Sequence, residues 1–181
     1  MMDPNVSTDI ELVLVRDTFV PEYVQLAHDD YDYLAKWLEW PRFCKTKEDF
    51  NSFIADSIDG YESGNSMNCT ILYKGVVAGT AGFNKIDRKL GRVEIGYWLG
   101  SRFQKKGIVT KVCRHLINYA FTIPDIDKVQ ILVAIENLPS RAVCERLNMS
   151  LEGVVGNEEG AGDKVLSHAI YALHRHQAQV M

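Results

Sequence analysis

No C-x-x-C pair occurs among the four cysteines, Cys44, Cys69, Cys113 and Cys144. That absence excludes the short-spaced zinc and dithiol redox motifs. It reads as reduced, mostly buried thiols in a cytoplasmic protein. The five histidines are dispersed. His174 and His176 share a tail strand or extension, but no cysteine or carboxylate cluster accompanies them, so no metal is expected. No apolar run approaches the roughly 20 residues of a membrane helix. The N-terminus, M-M-D-P-N-V-S-T-D-I, is acidic and polar, unlike a secretory signal. Neither G-x-x-x-x-G-K-[ST] nor G-x-G-x-x-G occurs, which excludes the two commonest phosphate-loop fingerprints. A basic excess is missing too: the net charge is −4, which argues against nucleic acid as the main ligand. Internal repeats, low-complexity tracts and interdomain linkers are absent. Residues 1–181 therefore read as one domain with a substantial core.

What is present is ordinary in bulk and uneven in distribution. Hydrophobic residues make up 46% and charged residues 24%, as in a soluble globular protein. Residues 1–62 carry 14 acids and 5 bases, a net of −9, whereas residues 63–181 carry 10 acids and 15 bases, a net of +5. An acidic first third suits a cationic partner, and a solvated acidic helix face explains it equally well.

Taken in order, Glu11 to Arg16 reads as a strand, and Val20 to Trp40 as a helix stopped by Pro41. Thr46 is a fair N-cap for a second helix whose early acids, Glu48 and Asp49, complement its dipole. Met67 to Tyr73 and Val76 to Phe83 are strands joined at Lys74-Gly75, a hairpin signal. A strand from Arg92 follows the turn at Asp87–Gly91. Val129, Ile131, Val133 and Ile135 alternate in another strand. A helix separates these two, so they should be parallel neighbours in a right-handed unit. A short helix capped by Asn137 ends near Asn148. Ser150 to Val155 and Lys164 to Leu173 form a final hairpin across a glycine-rich loop. The expected order is β-α-α-β-β-β-α-β-α-β-β, a mixed sheet.

The chain is organised around residues 93–121. Val93, Ile95, Tyr97 and Leu99 point one way and Glu94, Gly96 and Trp98 the other, as in a strand with unlike faces. Val109, Val112, Leu116, Ile117, Ala120 and Phe121 follow at helical period. Between them S-R-F-Q-K-K-G-I contains no acid, and Arg102, Lys105, Lys106, Lys111 and Arg114 crowd the junction. The first turn of a helix has N–H groups without internal partners, its dipole favours negative charge, and Gly107 lets a phosphate come close. An ordinary strand–turn–helix with a solvated charge run fits the same residues.

Gln104-Lys105-Lys106-Gly107-Ile108-Val109 resembles the Q/R-x-x-G-x-G/A signature of the GNAT acyltransferases, with Val109 where that family prefers Gly or Ala. Three further stretches resemble its Rim-type branch, the ribosomal-protein alanine and serine N-terminal acetyltransferases and their relatives. They are Leu34-Ala35-Lys36-Trp37-Leu38-Glu39-Trp40-Pro41, Glu94-Ile95-Gly96-Tyr97-Trp98-Leu99, and the helix start Asn137-x-x-Ser140-Arg141-Ala142. The element order is similar too, so the likeness covers nearly the whole chain.

The resemblance implies a GNAT-like α/β (α+β mixed) fold with splayed central parallel strands and acetyl-CoA as co-substrate, without a metal. Backbone groups around Trp98 and Leu99 would pair with the pantetheine arm. N–H groups from Gln104 through Lys105, Lys106, Gly107, Ile108 and Val109 to Thr110 would hold the pyrophosphate. Asn137 and Ser140 would sit by the thioester sulfur. Many GNAT enzymes protonate the leaving thiolate with a tyrosine, but the aligned residue here is Cys144, and Ser140 is the replacement the branch suggests. Glu94 is the candidate base, a backbone N–H near Leu99 the oxyanion donor, and Trp37 and Trp40 the acceptor-pocket residues.

Each of these has a plainer reading. Ser140 could bond only the helix start, Glu94 could be a structural carboxylate, and Trp37, Trp40 and Tyr97 could be core. The implied reaction is N-acetyl transfer to a primary amine, foremost a basic protein N-terminus, with neither nucleic acid nor membrane as partner and a homodimer allowed. Small amines such as a polyamine or an antibiotic are the alternative acceptors. A non-catalytic acyl-CoA-binding regulatory module is the alternative class.

Overall fold

In this computed structural model, which describes residues 2–161 and 164–178, the chain opens with two strands, β1 (Asn5–Ser7) and β2 (Ile10–Leu14). Three helices follow: α1 (Val20–Asp29), α2 (Tyr31–Leu34) and α3 (Lys47–Glu62). A meander of β3 (Met67–Tyr73), β4 (Val76–Asp87) and β5 (Arg92–Leu99) leads to α4 (Ile108–Ala120), β6 (Lys128–Ala134) and α5 (Leu138–Arg146). The hairpin of β7 (Ser150–Ala161) and β8 (Lys164–His174) and a last turn, α6 (Arg175–Ala178), complete it. One sheet holds the strands in the order β1-β2-β3-β4-β5-β6-β8-β7, and its one parallel pair is β5–β6.

The alternation in β5 sorts the molecule into layers. Val93, Ile95 and Leu99 are buried. With Tyr97 they face the side covered by α4 and α5, where Phe83 on β4 stacks on Tyr119 of α4 at 6.1 Å. The other residues face α1 and α3, where Trp98 meets Tyr23 of α1 at 6.5 Å and Tyr23 stacks on Phe50 of α3 at 5.6 Å. Burying each such large side chain contributes roughly 1.5–3 kcal/mol. An exposed pair such as His28–Asp29 adds roughly 0–1 kcal/mol, so the two apolar layers hold the fold. Among the described residues no helix is long and apolar enough to cross a membrane.

The mixed sheet, the Lys74-Gly75 hairpin and the parallel pair agree with expectation. Lys74 and Gly75 take φ of 52° and 77°, the two left-handed residues a tight hairpin needs. Three details differ. The N-terminus adds β1, an edge strand paired to β2. The expected helix over 20–40 breaks at Asp30 (φ −107°, ψ 18°). There the carboxylate leaves the helix axis to accept from Ser101 N–H at 2.8 Å and Ser101 Oγ–H at 2.5 Å. Downstream, Trp40–Arg42 is a 3₁₀ turn, because Pro41 disfavours the α conformation at Trp40. Finally, β7 runs on to Ala161 rather than stopping at Val155. Residues 162–163 of the expected glycine-rich loop lie outside the described residues.

Thr46 and Asp49 form a reciprocal cap on α3. Asp49 N–H donates to Thr46 Oγ1 at 3.2 Å, and Asp49 Oδ2 accepts from Thr46 N–H at 2.8 Å and Lys45 N–H at 2.9 Å. The N–H groups of Lys45 and Thr46 hold the Asp49 carboxyl below its ordinary value. A depressed carboxylate contributes stability that is complete above its unfolded-state pKa and lost as pH falls through the folded one. Thr46→Ala should therefore lower stability by about 0.5–2 kcal/mol, read as a urea midpoint at pH 7. The Asp49 share of the cap, read from Asp49→Asn, should shrink when the same titration is repeated below pH 3.8.

Candidate active site

β5 and β6 pair only at Arg92–Lys128, Val93–Val129 and Glu94–Gln130. Beyond that point β5 stays bonded to β4 and β6 to β8, and a gap opens between them. Gly100 N–H donates to Ala78 O at 2.8 Å. Backbone groups alternate sides along a strand, so Trp98 also turns its backbone toward β4. Tyr97 and Leu99 turn theirs into the gap. The gap is the middle of a cleft of about 1150 Å³. Every residue given a catalytic, cofactor-binding or acceptor role in the sequence reading lines it except Lys106, which stands exposed on the loop beside it.

At one end lies the loop before α4. After a 3₁₀ turn at Ser101–Phe103, Lys105 and Gly107 both adopt left-handed conformations, φ 59° and 72°. Alternating turns of this kind build a concave array of N–H groups suited to an anion. The first-turn N–H groups of Ile108, Val109 and Thr110 have no intrahelical acceptor, and among the described residues no side chain caps α4. A Cβ on Gly107 would meet no atom within 4 Å, so the space over it is open. Arg102, Lys105, Lys106 and Lys111 are exposed around this cup. Arg146 of α5 reaches it from above, its Nε donating to Thr110 Oγ1 at 3.3 Å. The Asp30 bonds to Ser101 fix the loop's first half from below.

In the middle, Asn137 caps α5 by accepting from Ser140 N–H at 3.3 Å. That cap sets Ser140 in the first turn, with its hydroxyl 2.6 Å from Tyr97 Oη. Burial, above all, pushes the Tyr97 phenol well above its ordinary value. Cys144, one turn further along α5, is buried and its thiol is pushed up to about 12 by that burial.

On the opposite face of the sheet, Glu94 lines the cleft and one of its oxygens accepts from Gln130 Nε2 at 3.2 Å. Asn84 lies over Gly96, where any Cβ would come within 2.3 Å of it, so that glycine admits the amide to the cleft. Trp40 packs on Trp98 at 5.2 Å and on Phe50 at 5.9 Å, making it part of the aromatic core and part of the wall. Trp37 stands further out, half-buried, with Lys36 Nζ 4.7 Å from its ring. Phe43, 66% exposed, completes an aromatic rim. Asp49, Phe53 and Asp56 of α3 project onto this rim at helical spacing.

Arg146, Asn84 and the Tyr97 hydroxyl escaped the sequence reading. Tyr97 sat among buried alternating residues, and nothing local marked the other two. The histidine tail shows no ligand set: His174 pairs with Glu152 at 2.9 Å and stacks on His176 at 5.7 Å. Among the described residues no group of three or more His, Cys, Asp or Glu could hold a metal.

A model of the acetyltransferase (GNAT) domain matches residues 10–150. YdaF of Bacillus subtilis (strain 168) is 30% identical over 154 residues, 84% of each chain. The ribosomal-protein-serine acetyltransferase of Escherichia coli (strain K12) is 26% identical over 167 residues, 92% of this chain and 93% of that one. Among solved structures, RimL, the ribosomal L7/L12 α-N-protein acetyltransferase in complex with coenzyme A, superposes with a TM-score of 0.91. It is 26% identical, over 96% of this chain and 98% of that one. The microcin C7 self-immunity acetyltransferase MccE, in complex with acetyl-CoA and AMP, gives 0.89 at 30% identity, over 93% and 94%.

Proposed function

This chain belongs to the GNAT acetyltransferases, and we propose that it moves the acetyl group of acetyl-CoA to the N-terminal α-amine of a protein. One observation carries the reading. A single cleft joins a basic, uncapped helix start, an unpaired strand edge, and an acid-rimmed aromatic pocket. The first suits a pyrophosphate, the second an extended amide-bearing arm, and the third a cationic amine approaching from the other face of the sheet. The named relatives that acetylate ribosomal proteins support the same assignment. The free thiols suit a cytoplasmic protein.

The amine must lose a proton, attack the thioester carbon, and leave sulfur protonated. Glu94 faces the pocket and takes the proton, directly or through water. The Leu99 N–H, turned into the gap, stabilises the oxyanion. Ser140 donates to sulfur. The N–H groups from Gln104 to Thr110 hold the phosphates, with Lys105, Lys106 and Arg146 adding charge. Trp37 and Trp40 shape the acceptor wall. An α-amine titrates near 8 rather than a lysine's roughly 10.4, so its neutral form is the more accessible nucleophile at pH 7.

A small amine is the second reading. The Trp37, Trp40 and Phe43 rim would also stack on a planar ring, and the likeness to MccE favours it. A thiol-release assay with acetyl-CoA decides. Short peptides starting with Ser or Ala and followed by basic residues should be acetylated on the α-amine better than spermidine or free amino acids. Added salt should weaken peptide binding. Preference for spermidine, or mass-mapped modification of lysine side chains alone, would defeat the N-terminal assignment.

Two variants test the machinery. Gly107→Val places a β-branched residue at φ 72° and a side chain in the open anion space, so acetyl-CoA affinity should fall roughly tenfold or more. Unchanged affinity in the folded variant removes the phosphate cup. Glu94→Gln should lower kcat at neutral pH and alter the shape of the pH–rate profile. A profile of wild-type shape would return Glu94 to a purely structural role beside Gln130.

A further inference from the structure

The function proposed above gives Ser140 the proton that sulfur needs, but a serine hydroxyl is a weak acid. The structure supplies what strengthens it. Tyr97 stands on the splayed part of β5, its side chain on the α4–α5 face, and its Oη lies 2.6 Å from Ser140 Oγ. Its other near titratable or charged neighbours are Cys113 and Cys144, both buried and both with thiols pushed up by that burial, and the Arg146 guanidinium, whose charge acts the other way on the phenol. Among the described residues Ser140 is the hydrogen-bond partner of the Tyr97 hydroxyl.

We propose that Tyr97 is the positioning residue for Ser140: its phenol donates to Ser140 Oγ, aims the serine proton at the cleft, and makes that proton more acidic. The direction of the bond follows from satisfaction. A buried phenol O–H without an acceptor is costly, and Ser140 Oγ is the acceptor in reach. With one lone pair of Oγ occupied, the serine's own hydrogen is free to point into the cleft that Ser140 lines. As that hydrogen moves to sulfur, negative charge grows on Oγ and the phenol bond tightens. Tyr97 remains a neutral phenol throughout, since its burial disfavours phenolate. In the balanced step the C–N bond forms and the C–S bond breaks. Glu94 takes the proton that nitrogen loses and later gives it up to solvent, sulfur takes the Ser140 proton, and a proton from solvent restores Oγ–H. A serine so assisted fills the place that a tyrosine at 144 would hold. The phenol is still present, but it is contributed by the strand rather than the helix.

Tyr97→Phe keeps the ring and deletes the donor. Its kcat should fall about tenfold, while the acetyl-CoA dissociation constant, the KM for acetyl-CoA and the thermal midpoint stay close to wild type. Ser140→Ala should lose about 10- to 100-fold in kcat. In the double variant the Tyr97 change should add nothing, because it acts through Ser140. The neighbouring Ile95→Val controls for packing: kcat should stay near wild type even where its midpoint drops as much as that of Tyr97→Phe, and a matching kcat loss would overturn the proposal. A Tyr97→Phe enzyme with wild-type kcat overturns the proposal, and so does a loss that multiplies fully onto Ser140→Ala. So does wild-type turnover in Ser140→Ala, which leaves the acetyltransferase reading standing. Failure of the wild-type enzyme to release thiol with any amine in the panel defeats both.

Discussion

The structure depends on a pairing that stops. Three register pairs join β5 to β6, and after Glu94–Gln130 neither strand bonds the other. Buried backbone groups left without partners are costly, so an opened parallel pair is stable only if something else meets its edges. Here the edges meet the cleft, and the sheet's remaining ladders hold the strands apart: β5 on β4, β6 on β8. The opening also lets the two faces of the sheet communicate. Tyr97 and Ser140 lie on one side, Glu94, Trp98 and Trp40 on the other. A donor laid in the gap can therefore be reached by an acceptor that never shares its entrance. Direct attack in a ternary complex requires that arrangement.

Charge follows the same division. The uncapped start of α4 and the exposed lysines around it favour anions at one end. Asp49 and Asp56 sit on the rim at the other. The two ends are also mechanically joined. Asp30, at the break between α1 and α2, holds Ser101 with two bonds. The segment carrying Trp37 and Trp40 thus leaves directly from the residue that braces the loop before α4. Exposed charge alone would position this loop poorly, since such pairs contribute little and are screened by salt. Hydrogen bonds that a backbone N–H donates to a fixed carboxylate are better suited to hold a shape.

Much of this was legible in the chain because it is local. The two-residue period of β5, the helical period of α4, the Thr46–Asp49 cap and the Lys74-Gly75 turn are each written within a dozen residues, and each appears. The left-handed turn at Gly107 and the start of α4 are local in the same way. What escaped depends on partners far along the chain. Nothing within 20–40 announces that Asp30 will turn to Ser101, 71 residues away, so the helix read too long. Tyr97 carries the same alternation as Ile95 and Leu99, and its hydroxyl acquires meaning only from Ser140, 43 residues on. Trp40 was framed as core or as lining for an acceptor pocket. It packs in the aromatic core and also lines the cleft, because the core of this face extends to the cleft surface without a polar boundary.

The departure at Val109 can be judged on the same physical terms. A glycine or alanine at this place would allow a phosphate close to the main chain. The donors, however, are N–H groups of an uncapped first turn, and a valine supplies its N–H as an alanine does. What matters is where the extra methyls go. Val109 is half-buried and packs against the hydrophobic core while still bordering the cleft. Its bulk is therefore shared with the interior, and Gly107, two residues earlier, remains the place where the backbone is bare. In the proposed cup a valine fits at the second helical position, because the barest stretch of backbone lies two residues upstream. There, a left-handed turn and an open space coincide on a residue without a side chain.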